Sequence, residues 1–198
     1  MRTPGWRWIV LVILLAGCGA DEVAWTMMPA PIIMKDPRFD FARRVSPEDR
    51  DTDVRILYAT TRAPALAGAR ERYLSSAGDS VRLGVSEVQL GEPGWSFAEL
   101  VESDRVSRVD ALRPARVTSV QEFGVIGSDT DRAFLAAIDR QVLASPTGEA
   151  VIYVPGYRVT FDQMMVFMGS WAHYLGRSAA VVTFSWPSGT RVWNYFLD

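Results

Sequence analysis

Lysine is almost missing from this 198-residue sequence: Lys35 is its one instance, and arginine supplies the rest of the basic charge, a skew that carries no functional weight. Cysteine and histidine each occur once. One cysteine excludes an internal disulfide, and the pair leaves little from which to build a closed zinc site, so neither metal-dependent hydrolysis nor a cofactor is expected. Charge of one sign is lacking too, with 21 basic against 23 acidic side chains and a formal net charge of −2. No global field therefore draws the chain to nucleic acid or anionic lipid. Repeats and low-complexity tracts are absent. What is present is core material: 48% hydrophobic against 22% charged residues, enough for one globular domain with a short appendage.

At the amino terminus, Arg2 and Arg7 precede an apolar run from Trp8 to Ala16. Nine residues are too few for a helix to cross a hydrocarbon core of about 30 Å, so the run reads as the apolar region of a signal peptide spanning residues 1–17. It closes on Leu15-Ala16-Gly17-Cys18, which resembles a bacterial lipobox. The resemblance implies cleavage before Cys18, diacylation of that cysteine through a diacylglyceryl group on its thiol, and attachment to a membrane through the lipid. Gly19, where an aspartate would signal inner-membrane retention, points to the outer membrane, facing the periplasm of the cell envelope. The alternative is that Cys18 is a small apolar residue in an uncleaved anchor. Loss of residues 1–17 removes two arginines and no acids, leaving 19 basic against 23 acidic groups, which again argues against nucleic acid.

Residues 18–53 hold Pro29, Pro31, Pro37 and Pro47 with no sustained period, the pattern of a tether or surface arm. Met27, Met28, Ile32, Ile33 and Met34 are apolar enough for part of it to pack on the domain, which runs from 54 to 198. Val54 to Thr60 alternates as a strand. Val81 to Leu90 reads as a second, whose change of apolar phase suggests a bulge near Ser86. Arg116 to Phe123 is a weaker third, and residues 95–113 are ambiguous. Phe134, Leu135, Ile138, Val142 and Leu143 recur at helical spacing after a Ser128/Asp131 capping box, predicting a helix over 129–144.

Ala150 to Val154 is a continuous apolar run, expected for a strand buried on both faces. Met164, Met165, Met168, Trp171, Ala172 and Leu175 then form a helical stripe closed by Gly176, with Asp162 near its start as cap or dipole partner. Ala179 to Phe184 is another apolar strand. Strand, helix and strand make a right-handed βαβ unit, so the fold class is α/β, a mostly parallel sheet flanked by helices.

Tyr153-Val154-Pro155-Gly156-Tyr157-Arg158 with Thr160-Phe161, followed by Phe184-Ser185-Trp186-Pro187-Ser188, resembles a bacterial family of uncharacterised α/β-hydrolases. Its members carry a strand ending in His-Gly-Tyr-Asn, a Ser/Thr-Phe pair, a helix, and a strand ending in Phe-Ser-Trp-Pro-Ser. Ile56 to Arg62, with its Tyr-Ala-Thr-Thr-Arg core, is similar to its opening strand. The resemblance implies a serine nucleophile at a Gly-x-Ser-x-Gly elbow, then an acid, then a histidine, acting on small ester-type substrates. It also makes the loop after Val154 an oxyanion loop, with the Gly156 and Tyr157 amides as its donors and Ser185 and Ser188 on the substrate side. Pro155 stands where the family has histidine and Arg158 where it has asparagine; proline lacks an N–H but leaves the next two amides available.

No Gly-x-Ser-x-Gly occurs among the 198 residues. Ser96, with Glu99 three positions on, reads as a helix N-cap, and Ser178 follows a helix where an elbow nucleophile would precede one. His173 is expected to be a partly exposed helix residue with no serine or acid partner. The fold is thus expected to be partial, truncated before the elbow, with an unpaired hydrophobic edge at 179–184. Three readings follow: the front part of a lipid-anchored hydrolase, inactive alone; a non-catalytic envelope lipoprotein that reuses the fold for binding; and a split protein whose sheet a second chain completes.

Overall fold

Inward and outward residues alternate along β2 (Asp53–Pro64) so that Val54, Ile56 and Tyr58 face one layer while Leu57 and Ala59 face another. A strand clothed on both faces needs a helix on each side, and the fold supplies them. In this computed structural model, which describes residues 25–69, 71–108 and 113–188, a six-stranded sheet runs in the order β1-β4-β3-β2-β6-β5. The remaining strands are β1 (Trp25–Thr26), β3 (Tyr73–Leu90), β4 (Pro114–Val125), β5 (Glu149–Tyr153) and β6 (Ala179–Ser185). Helix α3 (Phe161–Tyr174) covers one face, and α2 (Ser128–Ala144) the other. The α/β architecture is as the patterns predict, with strand direction divided: β5, β6 and β2 are parallel, while β2, β3, β4 and β1 are antiparallel neighbours.

The expected bulge in β3 near Ser86 is not there. β3 stays in register with β2 from Asp53↔Gln89 to Thr60↔Arg82, and the two irregularities nearby belong to β4, which inserts an extra residue against Leu83/Gly84 and against Glu87/Val88. The change of apolar phase has another cause. Val81, Leu83 and Val85 face the α2 layer, whereas Val88 and Leu90 face α3.

α1 (Phe97–Val106) fills the stretch whose sequence was ambiguous; Ser96 caps it in a reciprocal capping box with Glu99, as that pair predicts. The cap of α2 differs from expectation: Gly127 is the N-cap residue and donates its N–H to the Asp131 carboxylate at 3.0 Å. At α3 Thr160 and Gln163 form the capping box, so of the two roles expected of Asp162 the cap is not taken, while its place in the first turn fits the dipole partner. At the other end Gly176, at φ +74°, closes a Schellman turn through Gly176 N–H to His173 O and Arg177 N–H to Ala172 O.

α3 is buried nearly all round, as its methionines and Phe161 lie on the sheet and its far side is roofed by α1 and residues 25–52. Gly169 permits the close approach, since a Cβ there would lie 3.0 Å from a Val88 methyl. In the roof Met34, Phe41 and Val45 pack with Phe97.

The apolar run at β5 was expected to be buried on both faces, and it is not. β5 is the last strand of the described sheet, pairing with β6 alone, and Ile152 is 73% exposed. Tyr153 packs on Phe167 and Trp171 of α3, which covers only one face. β6 is enclosed on both sides, between β2 and β5, so among the described residues the edge at this end of the sheet is 149–153 rather than 179–184. Residues 1–24, with the expected signal peptide and Cys18, and residues 189–198 lie outside the described residues.

Candidate functional site at the carboxyl edge of the parallel strands

β5, β6 and β2 point their carboxyl ends the same way, toward the edge where ligand sites of α/β sheets gather. Two segments meet there: residues 154–160 after β5, and 186–188 after β6. Between them lies Arg62. Inward parity along β2 runs Ile56, Tyr58, Thr60, Arg62, so the strand delivers a guanidinium into the layer it shares with α3, and that side chain is 1% exposed.

Arg62 donates to four neutral oxygens. Its Nε reaches Ser185 Oγ at 2.9 Å, one terminal nitrogen reaches Leu74 O at 3.3 Å, and the other reaches Val159 O at 2.5 Å and Ser188 Oγ at 3.2 Å. Burial lowers its pKa, and Glu71 opposes that shift. Ser188 Oγ also donates to Val159 O at 3.1 Å, and Thr60 Oγ1 donates to Ser185 O at 2.6 Å. Ser185 and Ser188 are thus buried supports that face Arg62.

The loop itself is held at two points. Trp186 Nε1 donates to Pro155 O at 2.8 Å, and Arg62 with Ser188 holds Val159 O. Gly156, Tyr157 and Arg158 form the stretch between these anchors, with Arg158 in the left-handed region at φ 67°. Gly156 is exposed, and a Cβ on it would meet nothing within 4 Å, so no packing within the described chain calls for a glycine there. The tip is thus fixed at both ends, with a glycine open to an approaching group.

His173 departs from expectation. It is fully buried, and its Nε2 lies 2.8 Å from Asp104 Oδ2, whose other oxygen is bonded by Arg113. Arg113 also donates to Tyr174 Oη at 2.5 Å and Met28 O at 2.9 Å, so the cluster ties α1, α3 and residues 25–52 together. The His173 ring sits edge-on to Phe41, with centroids 4.9 Å apart. Burial first, then the charges of Arg177 and Arg113, hold its pKa well below 6.5, so the imidazole is neutral. It stands twelve residues along α3 from Phe161, about 18 Å from the loop end of that helix. The only imidazole of the chain is therefore a structural group far from the candidate site.

Ser96 is committed to its capping box, and Ser178 Oγ donates to Leu175 O at 2.8 Å. Among the described residues no group of three His, Cys, Asp or Glu side chains could hold a metal ion. Arg62 was absent from the sequence-derived candidates, although its inward parity in a strand could have marked it. Asp104 was also missed; it lies in helical phase with Phe97 and Leu100, a carboxylate on an apolar stripe.

No curated protein and no solved structure matches the chain. A family model described as alpha/beta hydrolase of unknown function (DUF900) matches residues 129–198. That span contains α2, β5, loop 154–160, α3, β6 and the 186–188 turn, all the elements of the site except Thr60, Arg62 and Leu74. From residue 129 onward the chain is thus similar to an α/β-hydrolase family, on a fold whose α/β layering agrees with that likeness.

Proposed function

We propose that this chain forms the oxyanion-holding part of a lipid-anchored α/β-hydrolase that cleaves small ester-type substrates, with nucleophile, acid and imidazole supplied from outside these 198 residues. The observation that carries the reading is loop 154–160, anchored at Pro155 and Val159 at the carboxyl edge of the parallel strands and lying inside the hydrolase-family match. In such a site the Gly156 and Tyr157 amides would hold the negative oxygen of the tetrahedral intermediate. Arg62 acts on the loop as a positioning residue and touches no reacting atom.

The membrane is reached through the lipid on Cys18, in the cell envelope. A Cys18→Ser variant expressed in a Gram-negative host is expected to lose palmitate incorporation and leave the membrane fraction; unchanged incorporation overturns the anchor. Reading the coding DNA past residue 198 for an in-frame strand followed by Gly-x-Ser-x-Gly tests the supply of the nucleophile. Co-purification of a chain that carries those elements is the other acceptable source. With neither, the hydrolase reading fails.

A second reading, a non-catalytic envelope lipoprotein built on this fold, is favoured by one feature: His173 is spent on Asp104 inside the core. It predicts a stable fold for residues 18–198 and no partner bearing a serine elbow.

A further inference from the structure

Beside the amino-terminal end of α3 a cleft of about 180 Å3 is lined by Trp25 of β1, Glu71 and Arg72 just before β3, Tyr73 at its start, and Phe161 and Asp162 at the start of α3. Two polar atoms of that lining are buried without a hydrogen-bond partner among the described residues: the Trp25 Nε1 donor and the Asp162 Oδ1 acceptor. Buried polar atoms are paired in most proteins, so an unpaired donor and an unpaired acceptor in one cleft call for a shared partner. Asp162 is not occupied as a helix cap, because Thr160 and Gln163 fill that role. Tyr73 is not a spare donor either: its hydroxyl donates to Glu122 at 2.7 Å and pairs with Tyr58 at 3.0 Å. With Phe161, whose ring centroid is 4.6 Å away, it adds ring carbon to the wall.

The chemistry of the partner follows from the pair. A cation would satisfy Asp162 and leave the indole N–H unmet. An anion would accept from Trp25 and meet Arg72, but it would face the two carboxylates of Asp162 and Glu71 and leave the Asp162 acceptor unmet. A hydroxyl does both, donating to the carboxylate and accepting from the indole. The volume holds the equivalent of about six waters at ~30 Å3 each, room for a ring with its substituents. Aromatic walls suit the C–H faces of such a ring.

We propose that this cleft binds one pyranose ring of a neutral carbohydrate, with a ring hydroxyl bridging Trp25 Nε1 and Asp162 Oδ1. The site adjoins loop 154–160 through Thr160, yet it does not depend on the hydrolase reading. Burial raises the Asp162 pKa to about 6, with Arg72 lowering it and Glu71 raising it, so near neutral pH the carboxylate is present to accept.

The test is titration of the full chain at neutral pH with methyl glucopyranoside, methyl galactopyranoside and methyl N-acetylglucosaminide, by calorimetry and by following the Trp25 indole N–H resonance. At least one glycoside should bind saturably and move that resonance. Trp25→Phe keeps an aromatic ring and deletes the donor, and Asp162→Asn removes the charge; each should weaken binding about tenfold, the worth of one hydrogen bond. Absence of saturable binding by all three, a stationary Trp25 resonance, or unchanged affinity in both variants overturns the proposal. The resonance readout needs only the unsubstituted protein and so stands even if a variant fails to fold.

Discussion

Replacing Arg62 by methionine keeps most of the volume of the side chain and deletes a guanidinium that donates to four oxygens. Two acceptors lose little, because Val159 O retains Ser188 and Ser188 Oγ retains Val159. Leu74 O and Ser185 Oγ lose a charged donor, each loss of that kind being worth roughly 1.5 to 3 kcal/mol. Relief of the buried charge, whose four acceptors are all neutral, offsets part of the loss. The net destabilisation should be about 3 kcal/mol, which for a chain of this size lowers Tm by roughly 6 to 12 °C. Arg62→Lys should cost nearly as much, because one ammonium cannot span the four acceptors a planar fork reaches. Urea denaturation gives the global value, and hydrogen exchange of the amides of 156–160 reads the loop, whose protection should fall further than that of β2 or β6. An Arg62→Met protein of wild-type stability with unchanged exchange at 156–160 would show that Arg62 does not hold the loop.

Other predictions follow from the buried clusters. Asp104→Asn leaves the Arg113 guanidinium without its buried carboxylate and should cost about 3 kcal/mol in urea denaturation, against about 1 kcal/mol for Ser96→Ala at its exposed cap; equal costs would refute the ranking. His173 is held below 6.5 when folded, so between that lowered value and 6.5 the unfolded chain binds a proton that the folded chain refuses. Stability should therefore rise with pH through that window, by up to about 1.4 kcal/mol per pH unit, and level off above it. Asp162 has the opposite sign: its pKa climbs from 3.8 to about 6 on folding, so its contribution falls as pH rises through that interval. Denaturation at a series of pH values should show His173→Gln losing the rising limb and Asp162→Asn losing the falling one; a His173→Gln profile parallel to wild type in the window below 6.5 refutes the assignment.

The βαβ unit was legible because its determinants are local: apolar runs of strand length, a helical stripe between them and Gly176 at the cap position. An apolar run does not by itself mean two covered faces. β5 is as apolar as β6, and only the strand order shows that one is enclosed and the other is last in the described sheet. In β3 the alternation resembles a bulge because one strand serves two layers along its length, Leu83 and Val85 one helix and Val88 and Leu90 another. Of the site, the loop and its glycine were visible as a motif. Arg62 and Asp104 were not recognised, because a charged residue counts as surface until parity or helical phase is checked against its apolar neighbours. The partner of His173 lies 69 positions away, a pairing that no local pattern encodes.

Fluorophosphonate labelling of the purified 198-residue chain, with His173→Gln beside it, tests most directly whether the chain lacks a catalytic pair of its own. With the imidazole sealed against Asp104 at the far end of α3, no serine should react above the level of the denatured chain, and the variant should behave the same. A serine labelled stoichiometrically in the folded chain, and no longer labelled once His173 is replaced, would contradict the account.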